Sequence, residues 1–328
     1  MIIDTHCHVI VEEMTAGTVP EHWRPAVSRA NGHYQLGFRG REINSVTSEF
    51  TDIPVMLAQA AATGVDHLLL SPWINLVPVD AGPAEARLIC QVQNGALAAA
   101  AAAFPGRVTA VGAVPLQDPA EAARLLPELM ATPGLCGVEV PGSAGGRYLG
   151  DDVFEPFWAA AEAAGALVFI HPASQGLGLP VLAGYYLWNS VGNPLETAVT
   201  AAHIVVSGVL ERHPDLRVLL AHGGGALPVV RGRLRRAFAV RAEASARARA
   251  GPDESLRRFY YDTVTHDPGL LADLVRYAGA GQVVLGTDRP FDMGTDDPVD
   301  EVRALGLGAG EELVLGGNAA RLLGMARG

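Results

Sequence analysis

The chain has 328 residues, 49% of them apolar, and a formal net charge of −11. That is enough length and hydrophobicity for one large domain with a sizeable core, and α/β barrels of this length are commonly single domains. The acidic balance argues against nucleic acid or an anionic membrane as the main partner, and all 24 basic residues are arginine, which leaves no lysine for a Schiff base or for a carboxylated bridge between metals.

The first stretch, "IDTHCHV" from Ile3 to Val9, puts Asp4, His6 and His8 on alternate positions. In a strand these side chains share one face. The same polar residues interrupt any signal-peptide pattern. Cys7, Cys90 and Cys136 are odd in number and far apart, so they predict no disulfide framework and fit a reducing cytoplasm. From Glu12 to Thr51 the chain is rich in Gly, Pro, Thr and His and carries no clear element. Such a long insertion after a first strand is either part of an active-site mouth or a surface elaboration.

Asp52 then caps the helical pattern "IPVMLAQAAA". The apolar run "VDHLLLSP" (Val65 to Pro72) follows, and after it "ALAAAAAAF" (Ala96 to Phe104), which is too short to span a bilayer and predicts an Ala-rich helix stopped by Pro105 and Gly106. "VTAVGAVP" (Val108 to Pro115) leads to a helix opened by Asp118 and Pro119. "LCGVEVP" (Leu135 to Pro141) is followed by "DDVFEPFWAAAEAAG", ending at Gly165, and "ALVFIHPA" (Ala166 to Ala173) by "PLETAVTAAHIVVSGVLERHP", ending before Pro214. The remaining runs are "RVLLAHGG" (Arg217 to Gly224), "FYYDTVT" (Phe259 to Thr265) and "VVLGTDRP" (Val283 to Pro290). A basic stretch, "RGRLRRAF" (Arg231 to Phe238), lies between the first two of these.

Counted with the opening stretch, these runs are eight, and they are continuously apolar, as parallel strands buried on both faces are. Alternating with helices, they predict a (β/α)8 TIM barrel: one domain over residues 1–328, with residues 12–51 as an insertion at the mouth. A doubly wound open sheet is the alternative, weakened by the lack of G-x-G-x-x-G after the first strand.

Barrel active sites gather at the carboxyl ends of the strands. Those ends carry His6 and His8, His171, His222 and Asp288. One strand-end histidine is unremarkable in a core; five such placements at equivalent heights call for a common purpose. Imidazole nitrogens with a carboxylate suit a divalent, zinc-like ion that keeps one position open for water.

The D-x-H-x-H start, "HP" after the fifth strand, "HGGG" after the sixth, "GTDRPF" at the eighth and "GNAARLLG" (Gly317 to Gly324) together resemble the amidohydrolase superfamily. More narrowly the chain is similar to its branch of metal-dependent, cofactor-free decarboxylases typified by aminocarboxymuconate semialdehyde decarboxylase. The resemblance implies that His6, His8, His171 and Asp288 are ligands of one divalent ion, zinc or else manganese, with no organic cofactor. It makes His222 the acid/base, with Asp288 also able to carry a proton. It places Arg39, in "FRG", as the grip on a substrate carboxylate, with Arg41 a close competitor. It assigns Arg233 to the active site of a neighbouring subunit in a homodimer, the alternative being a solvated helix face.

Two departures bear on the substrate. Ala173 stands where the family often has Trp, and Arg289 where a Tyr often follows the strand-eight Asp. Arg289 would line the pocket with Phe291 and hold a second anionic group, or pair with Asp292 or Asp296. Glu139, in the fourth strand, is either a bridge to a second metal or an ion-pair partner in the barrel. His266 either touches substrate or serves a helix start. The function implied is non-oxidative decarboxylation of an unsaturated or aromatic carboxylate. A hydrolase or hydratase acting on a lactone, amide, C–C bond or alkene with the same centre is the alternative. A metal-binding protein without turnover is a third reading, disfavoured by the retention of His222 beside the full ligand set.

Overall fold

In the computed structural model, which describes residues 1–30, 33–173 and 177–325, the eight apolar runs become eight barrel strands. They are β1 (Ile3–Val9), β2 (His67–Pro72), β3 (Val108–Gly112), β4 (Leu135–Val140), β5 (Leu167–Ile170), β6 (Arg217–Leu220), β7 (Tyr260–Asp262) and β8 (Val283–Val284). Neighbours in chain order pair in parallel throughout. The two edges meet as well: Thr5 N donates to Leu285 O at 2.9 Å and His8 N to Arg289 O at 2.8 Å. The fold is a (β/α)8 barrel, and β1 and β2 are buried along their whole length, as parallel strands covered on both faces are.

Ile3, Leu69, Val111, Phe169, Leu219 and Val284, drawn from separate strands, pack in one cluster with Ala319 and Leu322 of the helix Asn318–Leu322. This is an inward-facing layer sealed at the amino-terminal end of the strands, the end that serves stability. A second, larger cluster fills the space between strands and outer helices.

The helices start and stop where their caps predict. Asp52 Oδ1 accepts from Val55 N, and Asp118 Oδ1 from Glu121 N, both at 3.1 Å. Gly165 ends its helix in the left-handed region with φ of 61°. One long pattern divides: the helix Asn193–Val206 stops at Ser207, and a short turn, Val209–Arg212, restarts after Gly208, whose φ is 74°.

The segment between β1 and the first helix is more regular than its composition suggests. It holds an antiparallel sheet of Ala26–Ala30, His33–Phe38 and Arg41–Ile43. Arg39 and Gly40, with φ of 51° and 73°, make the two-residue turn between the last two of these strands. Such turns usually announce themselves with Asn-Gly or Asp-Gly, and arginine at the first position hides the signal. Leu36, Phe38, Val46 and Phe50 anchor this sheet to the core. Among the described residues no helix is long and apolar enough to cross a membrane.

Candidate metal centre

β1 delivers His6 and His8 to the barrel's carboxyl end, the residue after β5 is His171, and Asp288 follows β8. One ligand atom from each of the four lies within 4.8 Å of the others, and all four residues are buried. His6 Nε2 is 3.1 Å from His8 Nε2, and Asp288 Oδ1 is 3.3 Å and 3.4 Å from these two nitrogens.

The opposite ring nitrogens explain which atoms face inward. His6 Nδ1 donates to Asp262 Oδ2 at 2.6 Å. His8 Nδ1 faces Pro72 O at 3.3 Å and the Ser71 hydroxyl at 3.1 Å, and His171 Nδ1 faces Pro172 O at 2.9 Å. A carboxylate or carbonyl can only accept, so each Nδ1 carries the hydrogen and each Nε2 offers a lone pair. Among the described residues His171 Nε2 and Asp288 Oδ1 are buried without a hydrogen-bond partner. Lone pairs crowded together with no donor among them are costly unless a cation sits between them. The residues present therefore fit a divalent ion, and their outer hydrogen bonds are of the kind that orient metal ligands.

The charge balance agrees. Burial lowers His6, but Asp288 and Asp262 outweigh it and lift His6 to about 10. Burial and the neighbouring imidazoles hold His171 well below its usual value, and burial lowers His8. Asp288 is held well below the carboxylate range: burial opposes this, and His6 and His222 overcome it. The array is thus built to hold positive charge.

His222 stands beside this group. Its Nε2 is 3.3 Å from Asp288 Oδ2, while its buried Nδ1 has no partner among the described residues. Its φ is 57°, rare for a residue with a side chain. Gly223, Gly224 and Gly225 continue in the left-handed region, and a Cβ at Gly225 would come within 2.2 Å of Pro194 O. The "HGGG" turn therefore needs its glycines to bring His222 to the centre.

His171, His222, Asp288 and Phe291 line a cavity of about 760 Å³ that opens over the centre. Arg39 and Arg41 line it as well, with Asn44, Ser45 and Asn75. The Arg39 guanidinium is occupied: it pairs with Asp80 at 2.6 Å and lies 3.9 Å over the Trp23 ring. Among the described residues no ion pair involves Arg41. Phe291 packs on His8, ring centroids 5.4 Å apart.

Other expected residues lie elsewhere. Arg289 turns away from the cavity, where its Nη1 donates to Thr63 Oγ1 at 3.1 Å and its Nη2 to Asp296 O at 2.9 Å. Arg233 is exposed on the helix Leu227–Val240, away from the cavity. Glu139 is buried 3.7 Å from His8 Nδ1 but outside the four-residue group, and burial pushes its carboxyl well above the usual range. His266, with φ of 54°, lines a smaller cavity of about 290 Å³ that shares His222 and Asp288.

Two carboxylates gain a role that the motif alone did not supply. Asp4 Oδ2 accepts from Thr287 Oγ1 at 2.6 Å, tying β1 to the residue before Asp288, and burial lifts its carboxyl to about 6. Asp262, at the end of β7, is the partner of His6. The strand-end rule that selected Asp288 applies equally to Asp262, so its position was a usable signal.

Residues 3–325 match the family described as Amidohydrolase. The chain is 30% identical to 2-amino-3-carboxymuconate-6-semialdehyde decarboxylase of Dictyostelium discoideum, over 98% of this chain and 91% of that one. It superposes on 5-carboxyvanillate decarboxylase of Sphingomonas paucimobilis with a TM-score of 0.83 and 25% identity, covering 99% of both chains. The 5-carboxyvanillate decarboxylase of Novosphingobium aromaticivorans, solved with manganese and 4-hydroxy-3-methoxy-5-nitrobenzoic acid, shares the fold at a TM-score of 0.82 and 20% identity, over 99% of this chain and 96% of that one.

Proposed function

The chain belongs to the amidohydrolase family, and from that premise we propose that it catalyses the metal-dependent, non-oxidative decarboxylation of an unsaturated or aromatic carboxylate, without an organic cofactor. The observation that carries this reading is the meeting of three imidazole Nε2 atoms and a carboxylate oxygen, beside His222, at the floor of a cavity. Similar proteins are named as decarboxylases, which favours this chemistry over hydrolysis or hydration by the same centre.

His6, His8, His171 and Asp288 would hold one divalent ion. Three imidazoles with one carboxylate favour zinc; manganese, present in the Novosphingobium enzyme, is the alternative. Once bound, the ion supplies a Lewis acid that fixes and polarises substrate oxygens.

The rest falls to the protein's own side chains. An acidic chain needs a local cation to receive an anion, and a guanidinium matches a carboxylate as a planar fork. Arg41 is the freer of the two mouth arginines, while Arg39 braces the wall through Asp80 and Trp23. Phe291 gives the substrate an apolar side and keeps water from it. As the bond to the carboxyl group breaks, its electron pair stays on the carbon that remains, carbon dioxide leaves, and that carbon takes one proton. His222 delivers the proton from Nε2, with Asp288 Oδ2 as its hydrogen-bond partner.

The working unit is a homodimer. Val229 is 76% exposed on the Arg233 helix, and Val181 and Tyr185, in the segment after β5, are 78% and 96% exposed. Exposed apolar side chains, Val229 on the very helix that bears Arg233, suit a second copy, which would bring Arg233 to its neighbour's site. Residues 1–328 act as one domain. The free thiols of Cys7, Cys90 and Cys136 suit a reducing cytoplasm.

The test is metal content together with turnover. Protein purified without added metal is analysed for zinc and manganese, then offered the acids that name its relatives: aminocarboxymuconate semialdehyde, the dihydroxybenzoates and 5-carboxyvanillate. About one ion per chain with release of carbon dioxide from one of these acids supports the reading. Hydrolysis or hydration of other substrates without carbon dioxide release would replace it.

A further inference from the structure

We propose that Asp262 is a positioning residue that sets two parts of the centre at once: the metal-facing nitrogen of His6 and the main chain that carries His222. Its carboxylate is fully buried and receives four N–H groups. Oδ2 accepts from His6 Nδ1 at 2.6 Å and from His222 N at 2.9 Å. Oδ1 accepts from Gly223 N at 2.7 Å and from Val264 N at 3.0 Å. One side chain thereby joins β1, the turn after β6 and the end of β7, elements far apart in the chain.

Each bond has a chemical consequence. A carboxylate accepts only, so it keeps the His6 hydrogen on Nδ1 and leaves the Nε2 lone pair directed at His8 and Asp288. The bonds to His222 N and Gly223 N hold two consecutive residues with φ of 57° and 59°. For His222 that backbone is strained and persists only where its surroundings impose it. Gly286, just after β8, leaves room for the pair: a Cβ there would sit 2.9 Å from His6 Cβ and 3.0 Å from Asp262 Cβ. The carboxylate is therefore shared between the ligand on β1 and the acid/base on the turn, and disturbing it disturbs both.

The informative variant is Asp262→Asn, which preserves shape. If its oxygen stays with Gly223 and Val264, its amide group faces His6 Nδ1 and His222 N. His6 must then turn its hydrogen to Nε2, the atom aimed into the centre, and His222 N faces a donor. Chelator competition with zinc measures the first effect: affinity should fall about 10- to 100-fold, the usual loss on removing such an outer partner. At saturating zinc, kcat should fall at least about tenfold with KM changed far less, as expected when an acid/base is displaced. A merely structural Asp262 would lower the melting temperature and leave zinc affinity and kcat of the folded protein at parent values, and that result overturns the proposal.

A measurement on the zinc-loaded parent stands independently of whether the variant folds. Long-range nitrogen–proton correlation of the His6 ring should show the hydrogen on Nδ1, and a hydrogen on Nε2 would overturn the proposal. The inference rests on the four-residue group being a metal centre. A parent that binds no zinc defeats that reading, whereas parent and variant binding zinc equally defeats this one.

Discussion

Replacing Glu196 with glutamine should stabilise the protein at alkaline pH and leave it nearly unchanged in mild acid. Glu196 lies in the first turn of the helix Asn193–Val206, which also carries Asn193 to the cavity wall. Its side chain is fully buried, neither oxygen has a hydrogen-bond partner among the described residues, and Gly142 and Thr200 close it in. Burial therefore lifts its carboxyl from 4.5 to about 7, against an opposing pull from the Ala173 main chain. The folded state keeps this proton where the unfolded chain has already released it. Stability thus falls as pH rises from the unfolded value through the folded one, and is flat above. At about 1.4 kcal/mol per pH unit, that window costs about 3 kcal/mol by pH 8.

Glu196→Gln removes the cost and keeps the shape. For a chain of this length about 3 kcal/mol corresponds to a rise in melting temperature of roughly 4 °C. Thermal unfolding of both proteins from pH 5 to pH 8 reads it directly. The curves should meet near pH 5 and separate as pH rises, the variant melting higher. Parallel curves, or a variant less stable at pH 8, would show that Glu196 is paired and ionised in the folded state, and the argument from burial would fail.

His222→Asn should keep its metal and lose on the order of a hundredfold or more in kcat, the usual worth of a positioned proton donor; metal lost in step with activity would make His222 a ligand instead. Steady-state kinetics should separate the mouth arginines: Arg41→Ala should raise KM for the carboxylate at least about tenfold, the loss of a charge-assisted bond, and Arg39→Ala, whose partner is Asp80, should raise it less. The reverse order would mean that Arg39 leaves Asp80 to take the substrate. Mixing the inactive Arg233→Ala and His222→Ala proteins under conditions of subunit exchange should restore part of the activity, because one site of each mixed dimer then has neither defect. Confirmed heterodimers without recovery, or a monomeric parent, would return Arg233 to the surface.

Much of this molecule was legible in its sequence because the strongest signals are repetitive. Buried parallel strands must be apolar on both faces, so each of the eight announced itself, and strand-end polar residues pointed to the group that the fold brings together, His6, His8, His171 and Asp288, with His222 beside it. What escaped depends on contacts between distant segments. Asp262 reads as an ordinary strand-end acid until β7 is seen across from His6. Arg39 reads as a free cation until Asp80 and Trp23 are seen beneath it. Arg289 follows Asp288 in sequence, yet its guanidinium reaches Thr63 and Asp296 instead of the cavity, a direction set by side-chain conformation. The sheet in the mouth insertion was hidden by an uncommon Arg39–Gly40 turn.

The most direct test of the central claim follows the carboxyl group and the proton together. The zinc-loaded enzyme is incubated in heavy water with an accepted substrate labelled with ¹³C at the carboxyl carbon, alongside the chelator-stripped protein and His222→Asn. All label should leave as carbon dioxide, one deuterium should appear at the carbon that bore it, and both signals should be absent without metal and strongly slowed in the variant. Label retained in an organic product that has gained oxygen from water, or equal release from the stripped protein, would contradict metal-dependent decarboxylation at this site.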